Sequence, residues 1–133
     1  AGAWVCAAEH AGCAHLLHVD LYDHEAAAPV LDDEMFYAHC RDLLADGGVM
    51  AVNLFGRHAS FDRSLSHVVS AFGPDQVWRL QATREGNTVL VAGKGVVVPD
   101  RDTLWRRAEY LESTFKAQGL PAKKWLRMVR PGP

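Results

Sequence analysis

HLLHVD, residues 15–20, and VMAVNL, residues 49–54, are two short apolar runs with polar ends. Runs of this length and character suit strands buried in a parallel sheet. Between them Asp32 or Asp33 can cap a helix running to about Leu44, and Met35, Phe36, His39, Cys40, Leu43 and Leu44 fall at helical spacing on one face. Gly47 and Gly48 read as the stop of that helix. Strand, helix and strand in this order require a right-handed crossover on a parallel sheet.

Working outward, SFDRSLSHVVSAFG from Ser60 predicts a helix with Phe61, Leu65, Val68, Val69 and Phe72 as its apolar stripe, stopped by Gly73 and Pro74. QVWRLQA, residues 76–82, alternates as a strand, and Thr88 to Ala92 reads as the next. The short REGN turn between them, residues 84–87, can join only antiparallel neighbours, so the hairpin is expected to add an antiparallel edge. A helix from about Asp102 to Gln118 ends at Gly119-Leu120-Pro121, a short helix with Trp125, Leu126 and Met128 follows, and RPGP reads as a frayed end. Residues 3–11 suit a short helix with Trp4 and Val5 on one side. DHEAAAP, residues 23–29, reads as a loop, because Pro29 favours extended geometry in the residue before it. The fold class is therefore α/β, a partial doubly wound sheet with a C-terminal antiparallel hairpin, in a single partial domain over residues 1–133.

Composition narrows the function classes. The chain has 133 residues, 49% of them apolar, which suits one domain with one core. Net charge is −2, and no Lys/Arg run reaches the density of a nucleic-acid groove. Basic residues gather late, and no acid follows Glu112, which reads as a solvated face or a contact for an anionic partner or neighbouring subunit. Three cysteines, Cys6, Cys13 and Cys40, without a dense spacing pattern point to free thiols and a reducing compartment. The first residues lack the basic region and apolar run of a signal peptide, and no apolar run reaches membrane-spanning length. A cytoplasmic protein without membrane or nucleic-acid partners is the expectation.

Nucleotide-binding α/β domains place a glycine-rich turn after the first strand and an acid about 20 residues on. Neither pattern occurs here: Gly47-Gly48 follows a predicted helix, and Gly93-Lys94-Gly95 lacks the rest of a phosphate loop. The first strands and the glycine-rich loop are missing, so the chain is expected to begin in the middle of a larger fold.

HVDLYDHEAAAP (18–29), MFYAHCRDLLADGGVMAVNLF (35–55) and EGNTVLVA (85–92) resemble the spermidine synthase-like proteins, which share the class I S-adenosylmethionine-dependent methyltransferase fold. The resemblance runs from about Ala3 to the final helix. It implies that residues 15–20 and 49–54 are the family's fourth and fifth strands and the hairpin its sixth and seventh. It places Trp4 and Val5 just after the segment that contacts the adenine, as cofactor-side residues. True polyamine synthases end the fourth strand in an Asp-Ser/Thr-Ser/Thr-Asp pattern followed by Gly-Pro. The matching residues here are Asp20 and Asp23, with Leu21 and Tyr22 between them and Ala28-Pro29 after them. The resemblance implies a catalytic Asp20 acting on the amine and a substrate-binding Asp23. The co-substrate of an intact parent would be decarboxylated S-adenosylmethionine or S-adenosylmethionine, and a small amine the acceptor. The chain alone is expected to be inactive and to hold no cofactor firmly.

The residues themselves support a carboxylate at that place. Carboxyl ends of parallel strands line the ligand crevice of such sheets. An ammonium must lose a proton before its nitrogen can attack carbon, and a carboxylate can hold it meanwhile. The competing reading of Asp20 is a solvated loop residue or a turn cap. Tyr22 either gates the pocket, stacks on a base or covers core, and Asn53 is expected to point to the same crevice edge, in a structural role. The seven histidines lie on different elements, so no metal site is expected. His39 and Cys40 read as packing. Trp105, Ala108, Leu111 and Phe115 form a stripe that core packing explains, with a dimer surface involving Trp125 as the alternative. A homo-oligomer is expected, since spermidine synthase-like enzymes are usually dimers or larger and an open sheet invites self-association. Two other functions stand beside aminopropyl transfer: a non-catalytic binding or assembly module of the same fold, and a small-molecule methyltransferase.

Overall fold

A computed structural model of the chain describes residues 2–20, 32–55, 59–84 and 86–133. A five-stranded mixed sheet runs in the order β1-β2-β4-β3-β5, with β1 Ala14–Val19, β2 Leu44–Phe55, β3 Val77–Leu80, β4 Asn87–Gly93 and β5 Val129–Pro131. β1 and β2 are parallel, and every other pairing is antiparallel. The helices are α1 Gly2–Val5, α2 Glu34–Leu43, α3 Ala59–Phe72, α4 Arg101–Thr114 and α5 Ala122–Met128. This is a partly parallel, partly antiparallel α/β sheet of the expected class.

Side-chain alternation sorts the sheet into two faces. Leu17 and Val19 of β1 stand beside Met50 and Val52 of β2, which pair in turn with Ala92 and Leu90 of β4. Helices α2 and α3 pack on each other and onto this face; Phe36, Tyr37 and Cys40 from α2 and Val68 and Phe72 from α3 complete its core. The opposite face carries Leu16, His18, Ala51 and Asn53, and Leu16 there is 63% exposed. An apolar strand residue so exposed marks a face with little cover among the described residues.

Helix α2 begins where Asp33 caps it, its carboxylate accepting the Phe36 backbone N–H at 2.7 Å. Its buried face is Phe36, Tyr37, Cys40 and Leu43, whereas Met35 is 69% exposed, so the apolar stripe is rotated by about one residue from the sequence reading. Helix α3 and its stop follow the sequence closely; Gly73 takes φ +91°, open to glycine at low cost.

Three expectations are corrected. Gly47 and Gly48 do not stop α2, which ends at Leu43. They lie inside β2, where the register jumps from Ala14 opposite Leu44 to Leu16 opposite Val49. Gly47 takes φ +77° there, and a Cβ on Gly48 would come within 2.8 Å of the Ala45 carbonyl and 3.0 Å of that of Ala14. A bulge and a helix stop ask for the same residue type, so sequence alone does not separate them. Second, the hairpin is not the sheet's edge: β4 inserts between β2 and β3, and β5 covers β3. Third, the C-terminus is not frayed. Arg130 pairs with Arg79, and Gly132 donates its N–H to the Val77 carbonyl at 2.9 Å.

The late helices also differ from expectation. Ala108 is buried, but Leu111 is 41% and Phe115 39% exposed, so core packing does not account for the whole α4 stripe. Helix α4 instead pairs with α5. Glu112 accepts the Lys123 backbone N–H at 2.8 Å and an ion pair from its ammonium at 3.2 Å, and Arg127 lies over the Trp105 ring at 5.1 Å.

Candidate functional site

Asp20 follows immediately on β1, one residue beyond the Val19–Val52 pairing. Alternation turns it away from the core face toward the side that carries His18 and Asn53. The parallel register brings Asn53 alongside, and its Nδ2 donates to Asp20 Oδ1 at 3.3 Å. Asn53 Oδ1 in turn accepts from Asn87 Nδ2 at 3.4 Å. The three side chains form a polar line across the carboxyl edge of β1 and β2 and the start of β4, with both amide dipoles oriented toward the carboxylate. Both hydrogen bonds are long, so the line orients the groups more than it binds them. Asp20 itself remains exposed. A carboxylate at this place can accept hydrogen bonds from an ammonium arriving from solvent.

The structure thus joins Asp20 and Asn53, as the sequence suggested, and adds Asn87, which the sequence reading missed. Its signal was the Gly-Asn turn opening the hairpin strand, but the contact depends on the β2–β4 register, which places Phe55 opposite Asn87. Tyr22 and Asp23 lie outside the described residues. Trp4 stacks on His10, ring centroids 4.2 Å apart, and its carbonyl accepts from His10 Nδ1 at 3.0 Å. Val5 packs against the core. The aromatic face of Trp4 is therefore already engaged by an imidazole.

A second polar centre lies at the start of α2, also on the carboxyl side of the parallel pair. Asp32 accepts from Tyr37 Oη at 2.9 Å and from Ser64 Oγ at 2.7 Å, with Arg63 at 3.7 Å, while its backbone carbonyl accepts from the His67 ring at 3.0 Å. One aspartate thereby clasps α2 to α3. Burial, reinforced by this carboxylate, pushes the Tyr37 phenol far above its ordinary value, so it stays a donor. Sequence reading reached Asp32 only as a possible helix cap.

Cys6 and His39 form a further pair not foreseen, Sγ to Nδ1 3.1 Å. Cys40 is fully buried as expected, and burial followed by the nearby Cys6 pushes its thiol up to about 12. Lys94, in the Gly93-Lys94-Gly95 turn, donates to the Leu44 carbonyl at 2.7 Å, at the far edge of the sheet from Asp20. Its ammonium holds the start of β2. No helix is long and apolar enough to cross a membrane among the described residues.

No family model matches the chain, and no curated protein does either. Among solved structures the chain is similar to a probable spermidine synthase from Corynebacterium glutamicum ATCC 13032, at 18% identity and a TM-score of 0.52. The match covers 85% of this chain and 43% of that one, so the chain spans less than half of that protein's length. At this identity the likeness is one of fold, and the fold is spermidine synthase-like.

Proposed function

We propose that this chain is part of a spermidine synthase-like protein whose parent transfers an aminopropyl group from decarboxylated S-adenosylmethionine to a small amine. The observation that carries the reading is Asp20 at the carboxyl end of β1, exposed and oriented by Asn53, in a fold similar to that of a probable spermidine synthase. In this reading Asp20 holds the acceptor ammonium and takes its proton. The freed nitrogen lone pair then attacks the methylene beside the sulfonium. The new N–C bond forms as the C–S bond breaks, and the sulfur leaves with that electron pair as neutral methylthioadenosine. Asn53 and Asn87 keep the carboxylate aimed at the amine, and Asp23 pairs with the far ammonium of a diamine. In the same reading Trp4 and Val5 belong to the adenosyl side, and Tyr22 would serve amine binding.

A homo-oligomer belongs to the same reading. β1 has β2 as its one strand neighbour among the described residues, and Leu16, Leu111, Phe115 and Trp125 expose apolar surface. We place the protein in the cytoplasm on its three unpaired thiols.

The reading is tested in the longest natural chain that carries this segment, by following methylthioadenosine release on mixing putrescine with decarboxylated S-adenosylmethionine. Asp20→Asn is expected to slow release by about a hundredfold or more, the lower range for losing a general base. Release by the variant at the parent rate overturns the role of Asp20. Methyl transfer from S-adenosylmethionine with no aminopropyl transfer overturns the reaction in favour of a methyltransferase.

A further inference from the structure

The carboxyl side of the sheet also holds a groove, on the face opposite Asp20 and near the other margin. This open groove of about 590 Å³ lies between the first turn of α3, the end of β3, residues 81–84 with Gly86, and β5. Arg79, Arg84 and Arg130 line it, together with Thr83 and Thr88, and Asp62 is the one acid lining it among the described residues.

The charge arrangement is unusual for a solvated surface. Arg79 and Arg130 are direct partners across the antiparallel β3–β5 pair, so both side chains project from the same face of the sheet. Like charges directly opposite each other destabilise a sheet. None of the three arginines joins an ion pair among the described residues; the carboxylates that do so engage His10, Arg63 and Lys123. Arg130 is nevertheless held in place. Its Nη1 donates to the Arg127 carbonyl at 2.6 Å and to that of Val129 at 2.8 Å, which ties the guanidinium to the end of α5. A guanidinium has five N–H donors, and its fork matches oxyanions in pairs. Three such forks line one concavity with two threonines, and among the described residues Asp62 offsets only one of their charges, so a multivalent anion would neutralise the rest.

We propose that this groove is a binding site for a small ligand carrying two or more oxyanion groups, phosphate or carboxylate. It stands independently of the aminopropyl-transfer reading. Asp20 and Asn53 point to one face of the sheet, whereas Arg79 shares the α3 side with Leu90, its partner in β4. A polyamine would be repelled here, so the groove is not a continuation of the amine side.

The test is calorimetric titration of the chain with pyrophosphate and, separately, citrate, at ionic strength held constant with sodium chloride. Both arms are repeated with Arg79→Gln/Arg84→Gln, which spares the structural bonds of Arg130, and with Lys116→Gln/Lys124→Gln, which removes the same charge elsewhere. Wild type and the lysine variant are expected to bind alike, and the arginine variant at least about tenfold more weakly, the loss of one charge-assisted hydrogen bond or more. Preference for pyrophosphate identifies a phosphorylated ligand and preference for citrate a polycarboxylate. Melting curves give a second reading. Without multivalent anion Arg79→Gln is expected to melt higher than wild type, since the cross-strand repulsion is gone, and pyrophosphate should raise the melting temperatures of wild type and the lysine variant more than that of the arginine variant. No binding of either probe overturns the site, as does equal weakening in the lysine variant. Tighter binding of a single-stranded oligonucleotide than of pyrophosphate, lost in the same arginine variant, overturns it in favour of a nucleic-acid surface.

Discussion

The parallel half of the sheet and its antiparallel margin are built on different terms. In the β1–α2–β2 unit, the apolar side chains on the α2–α3 side are closed off: Leu44 and Met50 have no exposed surface, and Leu43 has 1%. At the margin, β5 is three exposed residues held by β3, and α4 leaves Leu111 and Phe115 over a third exposed. The first half is held by burial. The second is pinned by individual polar contacts, Glu112 to Lys123, Arg130 to the Arg127 carbonyl and Gly132 to Val77. Burial is spread over many atoms and tolerates changes of solvent; single polar pins respond to pH and to one substitution.

The sharpest contrast is between two truncations. Met50→Ala should cost about 2–5 kcal/mol, the range for emptying a packed core site. Leu111→Ala should stay within about 0.5 kcal/mol, as surface changes do. Urea unfolding followed by circular dichroism checks both. Equal losses would mean that α4 is covered in solution, and a concentration-dependent melting temperature would identify a second copy as the cover.

Asp32→Ala comes next. It leaves the buried Tyr37 hydroxyl without its acceptor, at a cost of about 1–3 kcal/mol, while Ser64 keeps the Ser60 carbonyl at 3.0 Å. The same unfolding measurement reads it. A neutral outcome would show that α2 and α3 are joined by their apolar faces alone.

Acid should act on the margin first. The Lys123 backbone N–H, then its ammonium, hold the Glu112 carboxyl below its ordinary 4.5, and the Thr103 bonds lower that of Asp100, the α4 cap. A depressed carboxyl stabilises the fold above its ordinary value, and that contribution is lost as pH falls through the folded-state value. The protection of α4 and α5 amides against exchange should therefore fall as pH drops below the ordinary carboxylate range, by less in Glu112→Gln than in wild type.

The smallest effect concerns the thiols. Cys40, buried with its pKa pushed up to about 12, should alkylate only through unfolding, whereas exposed Cys6 and Cys13 should react in the native chain. Mass spectrometry after a brief iodoacetamide pulse distinguishes them, and early labelling of Cys40 would place the parallel half among the easily opened regions.

The same division explains what the sequence disclosed. HLLHVD and VMAVNL were legible as strands from their short apolar runs with polar ends, although of β1 only Val19 is buried, and α3 because its stripe repeats at helical spacing. VRP was not legible as a strand: three residues ending in proline carry no periodicity, and their order comes entirely from β3. Asp20 could be placed because a carboxylate ending such a strand has one topological position. Its line to Asn87 could not, since that follows from register across a hairpin. Asp32 likewise shows its role only when α3 brings Ser64 and His67 to it, and the Arg79–Arg130 pair exists only once β5 is in place.

The central claim is that the carboxyl edge of β1 receives an amine through Asp20. Calorimetric titration of this chain with decarboxylated S-adenosylmethionine, methylthioadenosine and putrescine, set beside Asp20→Asn, tests it most directly. The account predicts heat of binding with putrescine that Asp20→Asn abolishes, while either variant binds or fails to bind methylthioadenosine alike. Putrescine binding unchanged in Asp20→Asn, or no binding of any of the three, would contradict an amine site at this edge.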